Sequence, residues 1–286
     1  MHALKMHKYL LHLALFPFLL SLHLHAEVSL PAIFGNNMVL QRDHENPVWG
    51  WAKKGEQITV SIDDQSHETT AAEDGSWRIM LKPMTATGKP LTMSVKGDNK
   101  RHFENILVGE VWLCSGQSNM GMSVSRAEDA DLEMMSAKHP NLRIISIPQV
   151  GTQEAQKDFK GQWEAVTPAN AGDFSAVGYF FGRQVHRSLD IPVGLIDNAW
   201  GGSACEAWIR RDLLEQSTAA KPYMELWRKT EAEHDPAAGL AQYEQRLAKW
   251  KDRAKKLRAE KKAAPKPPRK PRNPLTGQHR PSNLYN

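Results

Sequence analysis

The chain has 286 residues, 41% of them hydrophobic, a net charge of +5 and two cysteines. That is enough for one large domain, or a small and a medium one, with a substantial core, and two cysteines exclude both a disulfide scaffold and a zinc site built on them. The positive charge is concentrated: residues 1–26 contribute +2 and residues 249–272 contribute +10, which leaves the rest of the chain at −7. A nucleic-acid footprint needs basic charge spread over a folded surface, so no nucleic-acid partner is expected.

In chain order, Lys5 and Lys8 precede a leucine-rich run from Tyr9 to Leu22, and Ala26 offers a small residue just before Glu27. This is the layout of a secretory signal peptide; the run falls short of the ~20 residues needed to span a bilayer. The expectation is a secreted or periplasmic protein with no membrane association after cleavage.

Residues 27–108 read as an all-β unit. Short alternating runs such as Gln57–Ile62 and Leu91–Val95 predict half-buried strands, separated by turn signals at Lys54-Gly55, Asp74-Gly75 and Gly97-Asp98-Asn99. The strand spacing fits a small β-sandwich. Trp49, Trp51 and Trp77 are read as core or sheet-packing residues, with sugar stacking as the alternative for one of them.

From Ile106 the pattern changes. Ile106–Cys114 reads as a buried strand, followed by a Gly/Ser turn and a helix from about Ser118 to Ala137. Leu142–Ile147 is a second strand, and Phe174–Leu189 a helix with Val177, Phe180, Phe181 and Val185 along one face. Pro192–Asn198 is a third strand, leading into Gly201-Gly202 and a helix start near Glu206. Strands alternating with helices imply an α/β fold with a parallel sheet covered on both faces. Residues 237–263 predict a polar helix with a narrow stripe of Leu240, Tyr243, Leu247, Trp250, Ala254 and Leu257, packing on the domain or a neighbouring helix. The Pro/Lys/Arg tract at 265–274 should be extended or disordered.

The stretch that carries chemistry is Ser115-Gly116-Gln117-Ser118-Asn119-Met120, between a strand and the predicted helix. Ligands bind beyond the carboxyl ends of strands in open α/β sheets. A serine there reaches the crevice, and a helix N-terminus offers N–H groups to a developing oxyanion. Other readings of the turn fail on spacing. A dinucleotide fingerprint lacks its third glycine, a phosphate loop has Met122 where lysine belongs, and a G-x-S-x-G elbow has Met120 in place of glycine. On spacing alone, helix capping and nucleophilic catalysis both remain open for Ser118.

Val111-Trp-Leu-Cys-Ser-Gly-Gln-Ser-Asn-Met120 resembles the nucleophile block of the sialate O-acetylesterase family, within the SGNH hydrolases. Met38–Arg42, Val48–Trp51 and Asp74–Trp77 resemble that family's N-terminal β-domain. Ser175–Phe181, Pro192–Ile196 and Trp200–Trp208 resemble its catalytic domain, and Arg280–Asn286 a later block. The resemblance runs from about residue 28 to 286, apart from the charged stretch at about 215–275. It implies a flavodoxin-like α/β/α hydrolase domain from residue 109 onward, incomplete here and preceded by the β-sandwich, which hydrolyses acetyl esters on sugars without cofactor or metal. Ser118 would be the nucleophile and, through its own N–H, part of the oxyanion hole. Gly201 or Gly202 would donate a second N–H, while Gln117 and Asn119 would brace the turn. The partner would be an acetylated carbohydrate, a sialic acid or a plant polysaccharide.

The family also carries a Gln-Gly-Glu-Ser-Asn block and an Asp-x-x-His block that holds the base, both after the segment matched by Pro281–Asn286. The first block does not occur in this sequence, the Asp-x-x-His at Asp64–His67 lies in the N-terminal β unit and not after that segment, and His139, His186, His234 and His279 read as ordinary surface residues. The expectation is therefore a fragment or truncated product with little esterase activity and an exposed sheet edge. The alternative is a secreted, non-catalytic carbohydrate-binding protein with a degenerate hydrolase domain. Cys114 and Cys205 are expected as separate buried thiols.

Overall fold

The computed structural model describes residues 27–285; the expected signal peptide lies outside the described residues. In chain order the strands and helices are β1 (Val39–Gln41), β2 (Asn46–Trp51), β3 (Gln57–Ile62), β4 (Gln65–Thr70), β5 (Ser76–Leu81), β6 (Thr87–Lys96), β7 (Lys100–Gly116), α1 (Ala130–Ser136), β8 (His139–Ser146), β9 (Glu164–Val166), α2 (Ala176–Leu189), β10 (Val193–Ala199), α3 (Arg211–Gln216), α4 (Lys221–Glu233) and α5 (Pro236–Ala259). None of the helices among the described residues is long and apolar enough to cross a membrane.

The architecture is α/β with a mixed sheet. One sheet runs β4-β3-β6-β7-β10-β8-β9, with β1 also paired to β7, and β2-β5 form a separate two-stranded ribbon. β7 is the spine. Its first part pairs antiparallel with β6, and its last seven residues pair parallel with β10, which in turn pairs parallel with β8. The position expected to separate two units, 108/109, thus falls inside one continuous strand. The alternating burial of β3 and β5 follows their alternating sequence, and their inward residues, Ile58, Val60, Ile62, Trp77, Ile79 and Leu81, fill the N-terminal core.

The parallel part is covered on one face by α2. Ser175 caps this helix by accepting from the Gly178 N–H. Its buried face is Ala176, Gly178, Tyr179 and Gly182; of the expected apolar stripe, Phe180 and Val185 pack against this core, whereas Val177 and Phe181 are exposed. The helix lies close to the sheet. A methyl on Gly182 would stand 2.7 Å from Leu195 Cδ1, and one on Gly178 would stand 2.9 Å from Cys114 Sγ. Small residues, together with Tyr179, mark the contact face. On the sheet's other face, Ile145 and Ile196 join the N-terminal core together with Trp163. Arg143 ties the two parts together: it is buried and donates to the carbonyls of Pro140, Asn37 and Asn105 and to Asn105 Oδ1.

Beyond Gly109, β7 has no described strand on the side that β1 occupies lower down. Trp112 and Leu113 are exposed there, and Trp112 meets Phe181 of α2 edge-on at 5.0 Å. An open, apolar strand edge of this kind is a template for pairing with another strand.

Three other expectations change. The predicted helix over Ser118–Ala137 is instead a run of turns, a short 3₁₀ segment at Val124–Arg126 and the seven-residue α1, which buries no side chain. Gly121 and the extended Ser123 interrupt it, and Asp129 sits at φ 52°; with no apolar stripe to bury, nothing offsets the cost of nucleating a longer helix. The α5 stripe packs on the tract that follows the helix, not on the sheet: Trp250 Nε1 donates to the Pro265 carbonyl at 2.8 Å, and Gly239 lies against Pro271. Trp77 is core as expected, but Trp49 is 36% exposed.

Both cysteines are free, as expected, but Cys205 is exposed while Cys114 is buried. Burial, reinforced by the Asp197 carboxylate, pushes the Cys114 thiol up to about 11. At pH 8 the folded chain is therefore expected to titrate one thiol with Ellman's reagent, and the denatured chain two. Rapid titration of both in the folded state would place Cys114 outside the core.

Candidate active site

The site is set by strand register. In the β7/β10 ladder, Gly116 is paired with Ala199 at the carboxyl ends of both strands, and the Trp200 N–H extends the ladder by donating to the Gly116 carbonyl at 2.9 Å. Ser118 and Gly201 each lie two residues past that last pair. They meet: a methyl built on Gly201 would stand 3.7 Å from Ser118 Oγ and 3.7 Å from Ser118 Cα. Residues 83 positions apart in sequence thus share one spot at the end of a parallel sheet, where α/β folds place ligands.

Each turn has its local reason. Gly116 at φ 143° and Gly202 at φ 76° take up backbone conformations that side chains disfavour. The Gly121 N–H donates to the Gln117 carbonyl at 2.8 Å, closing the turn that presents Ser118. Gln117 Nε2 donates to the Ser203 carbonyl at 2.8 Å, which links the serine turn to the glycine turn, and Trp208 Nε1 donates to Ser203 Oγ at 2.9 Å. The chain's last described segment braces the same turn from behind: the Ala204 N–H donates to the Gln278 carbonyl, the Ser282 N–H to the Glu206 carbonyl, and Asn283 is fully buried.

The chemistry on offer is a hydroxyl and free N–H donors. Ser118, Gly201 and Gly202 are exposed. Their backbone N–H groups have no acceptor among the described residues, and neither does the Ser118 hydroxyl have a side-chain partner. The donors come from loop backbone, not from the helix N-terminus expected from sequence. Asn119 is exposed, and only its carbonyl is engaged, by the Met122 N–H at 3.4 Å. Beneath the site, Asp197 on β10 accepts from the Ala199 N–H, and burial holds its carboxyl above the usual range.

Among the described residues, no histidine is hydrogen-bonded to Ser118. His139 and His186 are half-buried, not surface residues as expected. His139 Nε2 pairs with the Tyr179 hydroxyl at 3.4 Å, with burial and nearby arginines lowering its pKa. His186 Nδ1 contacts the Ile191 carbonyl at 2.6 Å. His279 is exposed, its carbonyl accepting from the Tyr223 hydroxyl.

A family profile described as carbohydrate esterase, sialic acid-specific acetylesterase, matches residues 108–261, from β7 through α5. The chain belongs to this family. It is 34% identical over 194 residues to human sialate O-acetylesterase, covering 60% of this chain and 37% of the human protein. To the mouse sialate O-acetylesterase it is 33% identical over 201 residues, with 63% and 37% covered. The crystal structure of a carbohydrate acetylesterase from Xanthomonas citri superposes with a TM-score of 0.63 at 37% identity, covering 66% of this chain and 44% of that one. The chain therefore spans just over a third of the length of these mammalian esterases, and what they do as whole proteins passes to it only as a proposal.

Four residues singled out in the sequence, Gln117, Ser118, Gly201 and Gly202, lie together in the two turns, but the sequence did not tell what holds the turns in place. Sequence reasoning missed Ser203 as the acceptor that Gln117 needs, and the way residues 277–285 close under the glycine turn. The Arg280–Asn286 block carried a signal, but nothing in it said what it packs against.

Proposed function

We propose that this chain carries the nucleophile and oxyanion donors of an exported carbohydrate O-acetylesterase. Ser118 Oγ attacks the carbonyl carbon of a sugar O-acetyl group, and the negative charge that builds on the carbonyl oxygen is met by the backbone N–H of Ser118 and that of Gly201. The C–O bond to the sugar then breaks, the sugar oxygen leaves with a proton, and water hydrolyses the acetyl-serine. The observation that carries this reading is the register-fixed meeting of Ser118 with the Gly201 turn, with the N–H groups of Ser118, Gly201 and Gly202 free of acceptors among the described residues. Gly201 is the better donor of the glycine pair because it is the one adjacent to Ser118 Oγ.

The general base is not supplied by any residue that contacts Ser118 among those described. A missing base costs ~10²–10⁴ in rate. The test is p-nitrophenyl acetate hydrolysis by residues 27–286 beside the same chain lengthened at its C-terminus by the coding sequence that follows. Turnover at least about 10²-fold faster in the lengthened version supports the proposal. Equal turnover would mean that a base within these 286 residues serves Ser118. The unpartnered Ser118 hydroxyl also favours a second reading, a carbohydrate-binding protein that no longer catalyses, which predicts no turnover in either version.

A further inference from the structure

A groove of about 830 Å³ lies at the carboxyl end of the parallel strands, next to the Ser118 turn. Its walls are Trp49 from β2, Phe159, Trp200 and Tyr285, and its polar groups include Asn198 and Gln149. This volume falls in the range of small-molecule clefts, ~300–1,000 Å³. The four aromatic residues come from four separate parts of the chain, so the convergence is a product of the fold and not of one apolar segment.

The groove borders the glycine turn at one residue. Trp200 lines it, and the next residue is Gly201, at Ser118 Oγ. The rest of its floor comes from the ends of β10 and β8, through Asn198, Ala199, Ile147 and Pro148, one and two strands away from β7. At ~4.8 Å per strand, its centre lies roughly 5–10 Å from the serine turn, which is the reach of one to two sugar rings along a glycan. The half-buried Asn198 amide has no partner among the described residues, while Gln149 is held by donating to the Ala199 carbonyl at 3.1 Å. Trp49 is pinned edge-on to Phe34 at 4.7 Å, yet stays partly open to the groove. Flat aromatic faces suit the apolar C–H face of a pyranose, and a free amide suits its hydroxyls.

Resting on the esterase reading, we infer that this groove is a subsite for a sugar ring neighbouring the acetylated one, so that the substrate is an acetylated oligo- or polysaccharide and not a lone sugar. Rigid aromatic walls bind a ring at small entropic cost, and each ring added across the groove buries further apolar area.

The experiment is titration of the whole chain, by tryptophan emission and calorimetry, with unacetylated β-1,4-linked xylo-, gluco- and manno-oligosaccharides of one to six rings, and with N-acetylneuraminic acid. In at least one series the Kd is expected to fall about tenfold or more between one ring and three, with a change in indole emission. Trp49→Ala should erase that gain, and Trp49→Phe should keep most of it; Tyr285→Ala should weaken the three-ring ligand also, and decides the matter if Trp49→Ala does not fold. Absence of any gain with length, an undiminished gain in folded Trp49→Ala, or N-acetylneuraminic acid binding as tightly as the best three-ring ligand would each overturn the subsite. Binding is read without turnover, so inactivity of Ser118 leaves this result standing, and a failed length dependence leaves the esterase proposal standing.

Discussion

Replacing Ser118 with alanine is expected to cut p-nitrophenyl acetate turnover of the lengthened chain by roughly 10³-fold or more while leaving thermal stability within about a degree of wild type. The two halves of this expectation have separate grounds. The rate falls because the nucleophile is removed, and the other hydroxyl of the glycine turn, Ser203 Oγ, is already engaged by Trp208 Nε1. Stability holds because the side chain is exposed and makes no hydrogen bond to the described protein, and surface changes of that kind shift stability by only ~0.5 kcal/mol. Gly201→Ala provides the companion measurement. Its added methyl stands at an ordinary van der Waals distance, 3.7 Å, from Ser118 Oγ, so the fold tolerates it. It occupies the space beside the serine that the acetyl group must enter, and turnover is expected to fall about 10²-fold. A fluorophosphonate that labels wild type but not Ser118→Ala would fix the reactive atom independently of turnover. Unchanged turnover in Ser118→Ala would remove the serine mechanism altogether.

Some of this was readable in the sequence because local pattern and tertiary contact agree. β3 spans Gln57–Ile62, the segment its alternation marks, and β10 and β8 fall within a residue or three of the apolar runs that predict them. Where the two disagree, the sequence misleads. Two of the four apolar residues read as one face of α2, Val177 and Phe181, are exposed, while Gly178 and Gly182 allow the helix to sit on Cys114 and Leu195; a hydrophobicity pattern counts glycine as silent. The helix expected after Ser118 rested on the strand–turn–helix habit of α/β folds, not on any stripe in residues 118–129. The site itself was half readable. The blocks around Ser118 and Gly201 could be named, but their meeting depends on the parallel register between β7 and β10, which no local pattern encodes. The aromatic groove was not readable at all, since Trp49, Phe159, Trp200 and Tyr285 share no spacing.

That register makes Gly109 a sensitive position in the scaffold. Gly109 is buried in β7, opposite the start of β10. A methyl there would stand 1.9 Å from the Pro192 carbonyl oxygen and 2.6 Å from its carbon. These are backbone atoms, and the oxygen is already held by the Glu110 N–H at 3.0 Å, so the clash cannot be relieved by turning a side chain. The start of β10 must move by about 1 Å or more before ordinary contact is restored. Gly109→Ala is therefore expected to destabilise the fold by about 3 kcal/mol, the upper end for overpacking, or roughly 6–12 °C in a chain of this size. Gly55→Ala is the control: its φ of 76°, unlike that of Gly109, is one that side chains disfavour, but nothing lies within 4 Å of the added methyl, so only the backbone cost of ~1 kcal/mol applies. The functional consequence follows from the same strand. β10 runs from Val193 to Ala199, two residues short of Gly201, and a shift at its start carries to the turn that faces Ser118. A misplacement of ~1 Å there costs ~10²-fold in rate, so any Gly109→Ala protein that folds should lose turnover in the lengthened chain while Gly55→Ala keeps it. Urea unfolding curves and turnover, measured on the two variants side by side, decide the point. A Gly109→Ala protein within 1 kcal/mol of Gly55→Ala and fully active would mean that β7 and β10 can shift past each other without moving the site, and the meeting of Ser118 with Gly201 would then need another cause.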